Sequence, residues 1–109
     1  MGKRKFYRYT DEITGDIIAI EGYAWPAELK ARIFVERVLE YPGGPKVTRY
    51  YPQIDDDARE YRIILGDVNK GYRFLKDAKA ALVKELDAFE ANPDAHFQRH
   101  LRTGQWKGR

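Results

Sequence analysis

The sequence predicts an α+β fold: an antiparallel meander of about five to six strands, covered on one face by a long C-terminal helix and followed by a short basic helix and tail. Three observations predict it. Short runs rich in tyrosine and β-branched residues, alternating with period two, fill the first two-thirds of the chain, and Gly, Pro and Asp clusters separate them. One later stretch carries the three-and-four apolar spacing of a helix. The strands all precede that helix, so neighbouring strands pair antiparallel and one sheet face needs the cover the helix supplies.

The elements follow in order. "KFYRY" is short and aromatic, "TDEITGD" carries a Gly15-Asp16 turn signal, and "DIIAIEG" puts Ile18 and Ile20 on one face with Ile17 and Ala19 on the other. Residues 4–22 therefore read as a hairpin. In "WPAELKARIFVERVLEY", Pro26 suits the first position of a helix, so residues 24–31 read as either helix or strand, with a single helical turn near 26–30 as the helical alternative. From about residue 31 the strand period wins: Ile33, Val35, Leu39 and Tyr41 share one face, with Phe34 and Val38 opposite, whereas at helical spacing these residues scatter around the cylinder. "YPGGPK" is a tight reversal, "KVTRYY" a returning strand, "PQIDDDA" a polar loop and "REYRIIL" another strand. "GDVNKG" is a turn, and "YRF" reads as a short final strand.

"LKDAKAALVKELDAFEAN" is the clearest element. Leu75, Ala78, Leu82, Leu86 and Phe89 form one stripe, and Ala, Lys and Glu fill the rest, predicting a helix from about Leu75 to Glu90. Asn92-Pro93-Asp94 reads as a new start, with Asn92 as N-cap, Pro93 in the first position and Asp94 near the positive helix end. That second helix spans about 93–102, with Gly104 as its stop. The expected core is Phe6, Ile18, Ile20, Ile33, Val35, Val47, Ile63, Leu65, Phe74, Leu82, Leu86 and Phe89.

At 109 residues the chain reads as one domain, residues 1–91, with residues 92–109 as an appended short helix and basic tail. The absence of cysteine removes disulfides, thiolate chemistry and cysteine-ligated zinc, and fits a reducing compartment. The basic N-terminus has no apolar run behind it, so no signal peptide is expected, and runs such as "IIAI" are too short to span a bilayer. A soluble, cytoplasmic protein with no membrane partner is the expectation.

The net charge is +3, and its location is informative. Residues 1–91 hold 16 cations and 16 acids, while residues 92–109 hold four cations against Asp94. Lys3, Arg4, Lys5 and Arg8 form a second basic cluster at the start. This is a near-neutral body with basic ends.

Motifs for catalysis or metal binding are weak. His96 and His100 share a helix face, but no cysteine or "HExxH" pattern accompanies them, so they read as surface histidines of a basic helix and no metal is expected. The aspartates of "DDD" at 55–57 lack the glycine and distal glutamate of a calcium loop and read as a solvated loop or as a charge block beside a strand edge. "YPGGP" and "GDVNKG" do not match a phosphate loop. The chain has no serine, and Thr10, Thr14, Thr48 and Thr103 have no adjacent histidine. No enzyme activity and no cofactor are expected.

The remaining signal is aromatic residues interleaved with cations: "KRKFYRY", "VTRYY", "EYRI", "GYRF". With one sheet face under the helix, Tyr and Arg on the other can stack bases and hold phosphate. The same pattern also serves a plain role, because Tyr is a good strand residue with one wet end and Arg stems cover apolar surface. The order of a sheet, then "RFxxxAKxAL", then a helix is similar to that of several sheet-type DNA and RNA readers, a likeness of fold alone. The expected function is a small non-enzymatic binding protein contacting DNA or RNA. The candidate contacts are Lys3, Arg4, Lys5, Tyr7, Arg8, Arg49, Tyr51, Arg62, Arg99, Arg102, Trp106, Lys107 and Arg109. The alternative is a protein-binding modulator, an inhibitor or adaptor, using the same aromatic and arginine surface on a protein partner.

Overall fold

A computed structural model describes residues 4–102, with side chains through residue 98. Five strands, β1 (Phe6–Asp11), β2 (Gly15–Ile20), β3 (Leu29–Leu39), β4 (Lys46–Asp56) and β5 (Tyr61–Ile64), precede two helices, α1 (Leu75–Ala91) and α2 (Pro93–Arg102). The strands form one antiparallel sheet in sequence order, with α1 packed on one face. This is the expected α+β meander under a helix.

Local chemistry explains the connections. Asp11 closes the first hairpin by accepting the backbone N–H groups of Ile13 and Thr14 at 2.8 and 3.0 Å. Asn92 ends α1 and starts α2: its side chain accepts the N–H of Ala95 at 3.1 Å, and Pro93 follows as the first helical residue.

Register decides which side chains meet α1. Ile18 pairs with Ile33, Ile33 with Pro52, and Ile54 with both Ala31 and Ile63. Ile18, Ile20, Ala31, Ile33 and Ile54 form the main core cluster with Ala78, Leu82 and Leu86 of the helix. Burying each large aliphatic side chain there contributes about 1.5–3 kcal/mol. Phe6, Val35 and Leu65 border the cluster, while Ile63 and Phe89 are buried.

Several expectations need correction. The stretch "PQIDDDA" is not a loop, because β4 runs on through Pro52 to Asp56. Its aspartates are not a solvated block: Asp55 and Asp56 are buried, and only Asp57 is exposed. Of the two readings of residues 24–31 the helical one is absent: residues 21–26 are turns and bends, and β3 begins at Leu29. "YRF" gives only a single bridge, Tyr72 to Tyr50. Phe74 is exposed at the start of α1, and Val47 lies on the sheet face away from α1, so neither joins the core. Tyr61, Ile54, Ala31 and Ala78 take their place.

His96 is not a surface histidine. It is 1% exposed, docked edge-on against Phe89. Tyr61 Oη lies 2.9 Å from its Nδ1, and Glu85 Oε2 lies 2.5 Å from its Nε2. An Nε2–H tautomer satisfies both, donating to Glu85 while Nδ1 accepts the Tyr61 hydroxyl. With Phe97 edge-on to Tyr61 at 4.9 Å, this polar knot fastens α2 to the sheet and to α1. The side chains of His100 and Leu101 lie outside the described residues.

Candidate nucleic-acid interface

Side chains alternate across a strand, so residues one step from Ile18 and Ile33 point away from α1. The register lines them up in rows across the open face. One row is Tyr9, Ile17, Phe34 and Tyr51; the next is Tyr7, Ala19, Arg32, Gln53 and Ile64. Ile17 and Ala19 sit between larger neighbours and are buried even here. Above them the face presents rings and guanidinium groups. Tyr7 and Tyr9 stack with centroids 5.6 Å apart, and the Arg32 guanidinium stands 5.0 Å from the centroid of Phe34.

A carboxylate anchors this arrangement. Asp55 accepts from Arg32, Arg62 and Gln53, each at 2.7 Å, and its side chain is 3% exposed. Burial alone would raise the Asp55 carboxyl, but the bonds from Arg62, Gln53 and Arg32 outweigh it and hold the group below its usual range. Arg32 is thus fixed by Asp55 on one side and by Phe34 below. Its Nε is buried without a hydrogen-bond partner among the described residues.

Beside this cluster a groove of about 350 Å³ runs over Phe34, Val38 and Tyr51, bounded by Glu36, Gln53 and Ile64. Its far wall is the loop after β5, through Val68 and Asn69. That loop is shaped by Asp67, which accepts the N–H groups of Asn69 and Lys70 at 2.8 and 3.1 Å. The same backbone bonds hold the Asp67 carboxyl below its ordinary range. The loop is tied back where Tyr51 Oη donates to Asn69 O and where Gly71, at φ +66°, lies against the Tyr50 backbone. Burial, reinforced by Glu36, pushes the Tyr51 hydroxyl up, so it stays protonated and able to donate.

The thirteen candidate contacts fall into distinct places. Tyr7, Arg49, Tyr51 and Arg62 lie on the open face, as their strand register requires. Arg49 is paired with Glu40 at 3.6 Å and Arg62 with Asp55, so neither is an unpaired cation. Arg8 is on the opposite side of edge strand β1, exposed, and 3.5 Å from Asp16. Lys5 is exposed just before β1. Arg4 is bonded to Asp87 at 2.7 Å and to Glu90, which also binds Tyr23, so it fastens the N-terminal segment to α1. Burial opposes that charge, but the bonds to Glu90, Asp87 and Tyr23 hold the guanidinium above its usual range. The side chains of Arg99 and Arg102, and all of Lys3, Trp106, Lys107 and Arg109, lie outside the described residues.

Tyr9, Arg32 and Phe34 belong to the face but were not among the sequence candidates. Alternation could have found them, since Phe34 already stood opposite Ile33 and Arg32 is two residues before it. Among the described residues no group of three His, Cys, Asp or Glu side chains could hold a metal ion, and no helix is long and apolar enough to cross a membrane. No protein-family model, curated protein or solved structure matches this chain.

Proposed function

We propose that this protein is a small non-enzymatic binding protein that holds single-stranded nucleic acid across its open sheet face. The observation that carries the reading is the row of rings, Tyr9, Phe34 and Tyr51, with Tyr7 beside it and Arg32 stacked on Phe34. Aromatic faces accept bases of any sequence, at about 1–3 kcal/mol per stacked base. The groove beside Phe34 and Tyr51 offers Gln53 and Glu36 as hydrogen-bonding groups at its walls. Basic residues at the chain ends supply phosphate contacts. The cysteine-free composition fits a cytoplasmic setting.

A second reading is favoured by one specific observation. Arg32, Arg49 and Arg62 are each paired with a carboxylate, so the face is close to neutral. A mixed aromatic and ion-paired surface also suits a protein partner, with the chain acting as inhibitor or adaptor. Binding of labelled single-stranded and duplex oligonucleotides across a salt series separates the two. The nucleic-acid reading predicts single-strand binding that weakens steeply with salt. Absence of binding to DNA and RNA at low salt refutes it, and a nuclease-resistant protein complex then establishes the second reading.

A further inference from the structure

The arginines of the open face are held by carboxylates, while a group of cations with no ion pair among the described residues lies on α1. Counting about 100° per residue, Lys76, Lys79, Ala80, Val83, Lys84 and Asp87 occupy one flank of the helix, beside the buried stripe. They surround a shallow depression floored by Ala80 and Val83. Asp87 is its only carboxylate, and Arg4 takes it at 2.7 Å. Among the described residues the three lysines make no ion pair. Their helix neighbours three and four positions away explain this: apart from Asp87 they are apolar, aromatic, Arg73, or another lysine of the group.

The flank adjoins the free edge of β1, the outermost strand of the sheet. β1 runs antiparallel to the helix. Arg4 meets Asp87 and Glu90, and Lys79 Nζ stands 5.0 Å from the Phe6 ring centroid. Arg8, two residues on, lies on the same side of the strand as Phe6. Lys76 and Lys84 are about 12 Å apart along the helix. Lys76 and Lys79, one helical turn apart, repel each other in the free protein, and an extended polyanion relieves that repulsion.

We propose that this flank is a phosphate track. The backbone of a single strand whose bases lie on the rings of the open face passes around the edge of β1, past Lys5 and Arg8, onto Lys79, Lys76 and Lys84. The inference rests on the nucleic-acid reading above and adds Lys76, Lys79 and Lys84 to the phosphate contacts that reading assigns to the chain ends. Lysine suits the role: a compact ammonium on a flexible stem follows a moving phosphate, whereas the arginines of the open face are committed to fixed carboxylates.

Anisotropy of a labelled oligothymidylate, titrated with the full chain across a salt series, tests it. The variant Lys76→Gln/Lys79→Gln/Lys84→Gln should flatten the slope of log affinity against log salt by about 2, at about 0.7 per phosphate contact on a single strand. Its melting should match the native protein, and Lys46→Gln/Lys70→Gln, at exposed lysines elsewhere, should change the slope by less. An unchanged slope in the triple variant overturns the track. A Phe34→Ala/Tyr51→Ala variant separates this failure from failure of the ring reading. If the ring variant weakens binding and the triple variant keeps its slope, the rings stand and the track falls. If the triple variant flattens the slope while the ring variant binds normally, the track stands and the rings fall. No binding by the native protein at low salt overturns both.

Discussion

Replacing Asp55 with alanine removes the centre of the polar cluster on the open face. The side chain is 3% exposed and accepts from Arg32, Arg62 and Gln53 at 2.7 Å each. The two arginines differ in burial, with side chains 17% and 43% exposed. Arg62 can turn to water once Asp55 is gone. Arg32 cannot do so freely, because it lies over Phe34 and already leaves Nε without a partner among the described residues. Removing one member of a buried pair and stranding the other costs about 3–5 kcal/mol, so Asp55→Ala should destabilise by roughly 3 kcal/mol. Arg62→Ala leaves Asp55 with Arg32 and Gln53 and should cost only about 0–1 kcal/mol, the range of an exposed pair. Urea unfolding of both variants at neutral pH measures the asymmetry. A cost below about 1 kcal/mol for Asp55→Ala, or equal costs for the two, would refute the account of Arg32 as a group pinned between Asp55 and Phe34.

Other outcomes follow from the same geometry. Because the Asp55 carboxyl is held low in the folded protein, its contribution is complete above the unfolded value of about 3.9 and is lost as pH falls through the folded value. The gap in urea stability between the native protein and Asp55→Ala should therefore be constant from neutral pH down to about 5 and narrow under stronger acid. Leu82 is fully buried in the main cluster, so Leu82→Ala should cost about 2–5 kcal/mol in the same assay; a loss under about half a kcal/mol would contradict the packing of α1. Gly71→Ala places a methyl 2.8 Å from Tyr50 O at a backbone φ of +66°, and should destabilise by more than about 1 kcal/mol and disturb oligonucleotide binding through the groove wall.

The strands and helices were legible because period two and period 3.6 separate cleanly at Ile33–Val38 and at Leu75–Phe89. The Asn92-Pro93 junction was legible because capping is chemistry between neighbours in sequence. What escaped was long-range. Proline and three aspartates in "PQIDDDA" look like a loop in sequence, yet Pro52 lies buried in β4 and Asp55 finds its arginines on β3 and β5. His96 looked like a surface residue because its partners Tyr61 and Glu85 are 35 and 11 residues away. The tyrosines and arginines of the open face were partly foreseen, since alternation sets the face. Which arginines are spent on carboxylates depends on cross-strand register, which only the fold supplies.

The central claim is that rings on the open face hold bases. The most direct measurement is the affinity of Phe34→Ala/Tyr51→Ala for a single-stranded oligonucleotide across a salt series, with folding checked by circular dichroism. The account predicts weaker binding, by about 1–3 kcal/mol for each base that loses its stack, with the salt slope nearly unchanged because stacking releases few counterions. Native affinity in a folded double variant would contradict it.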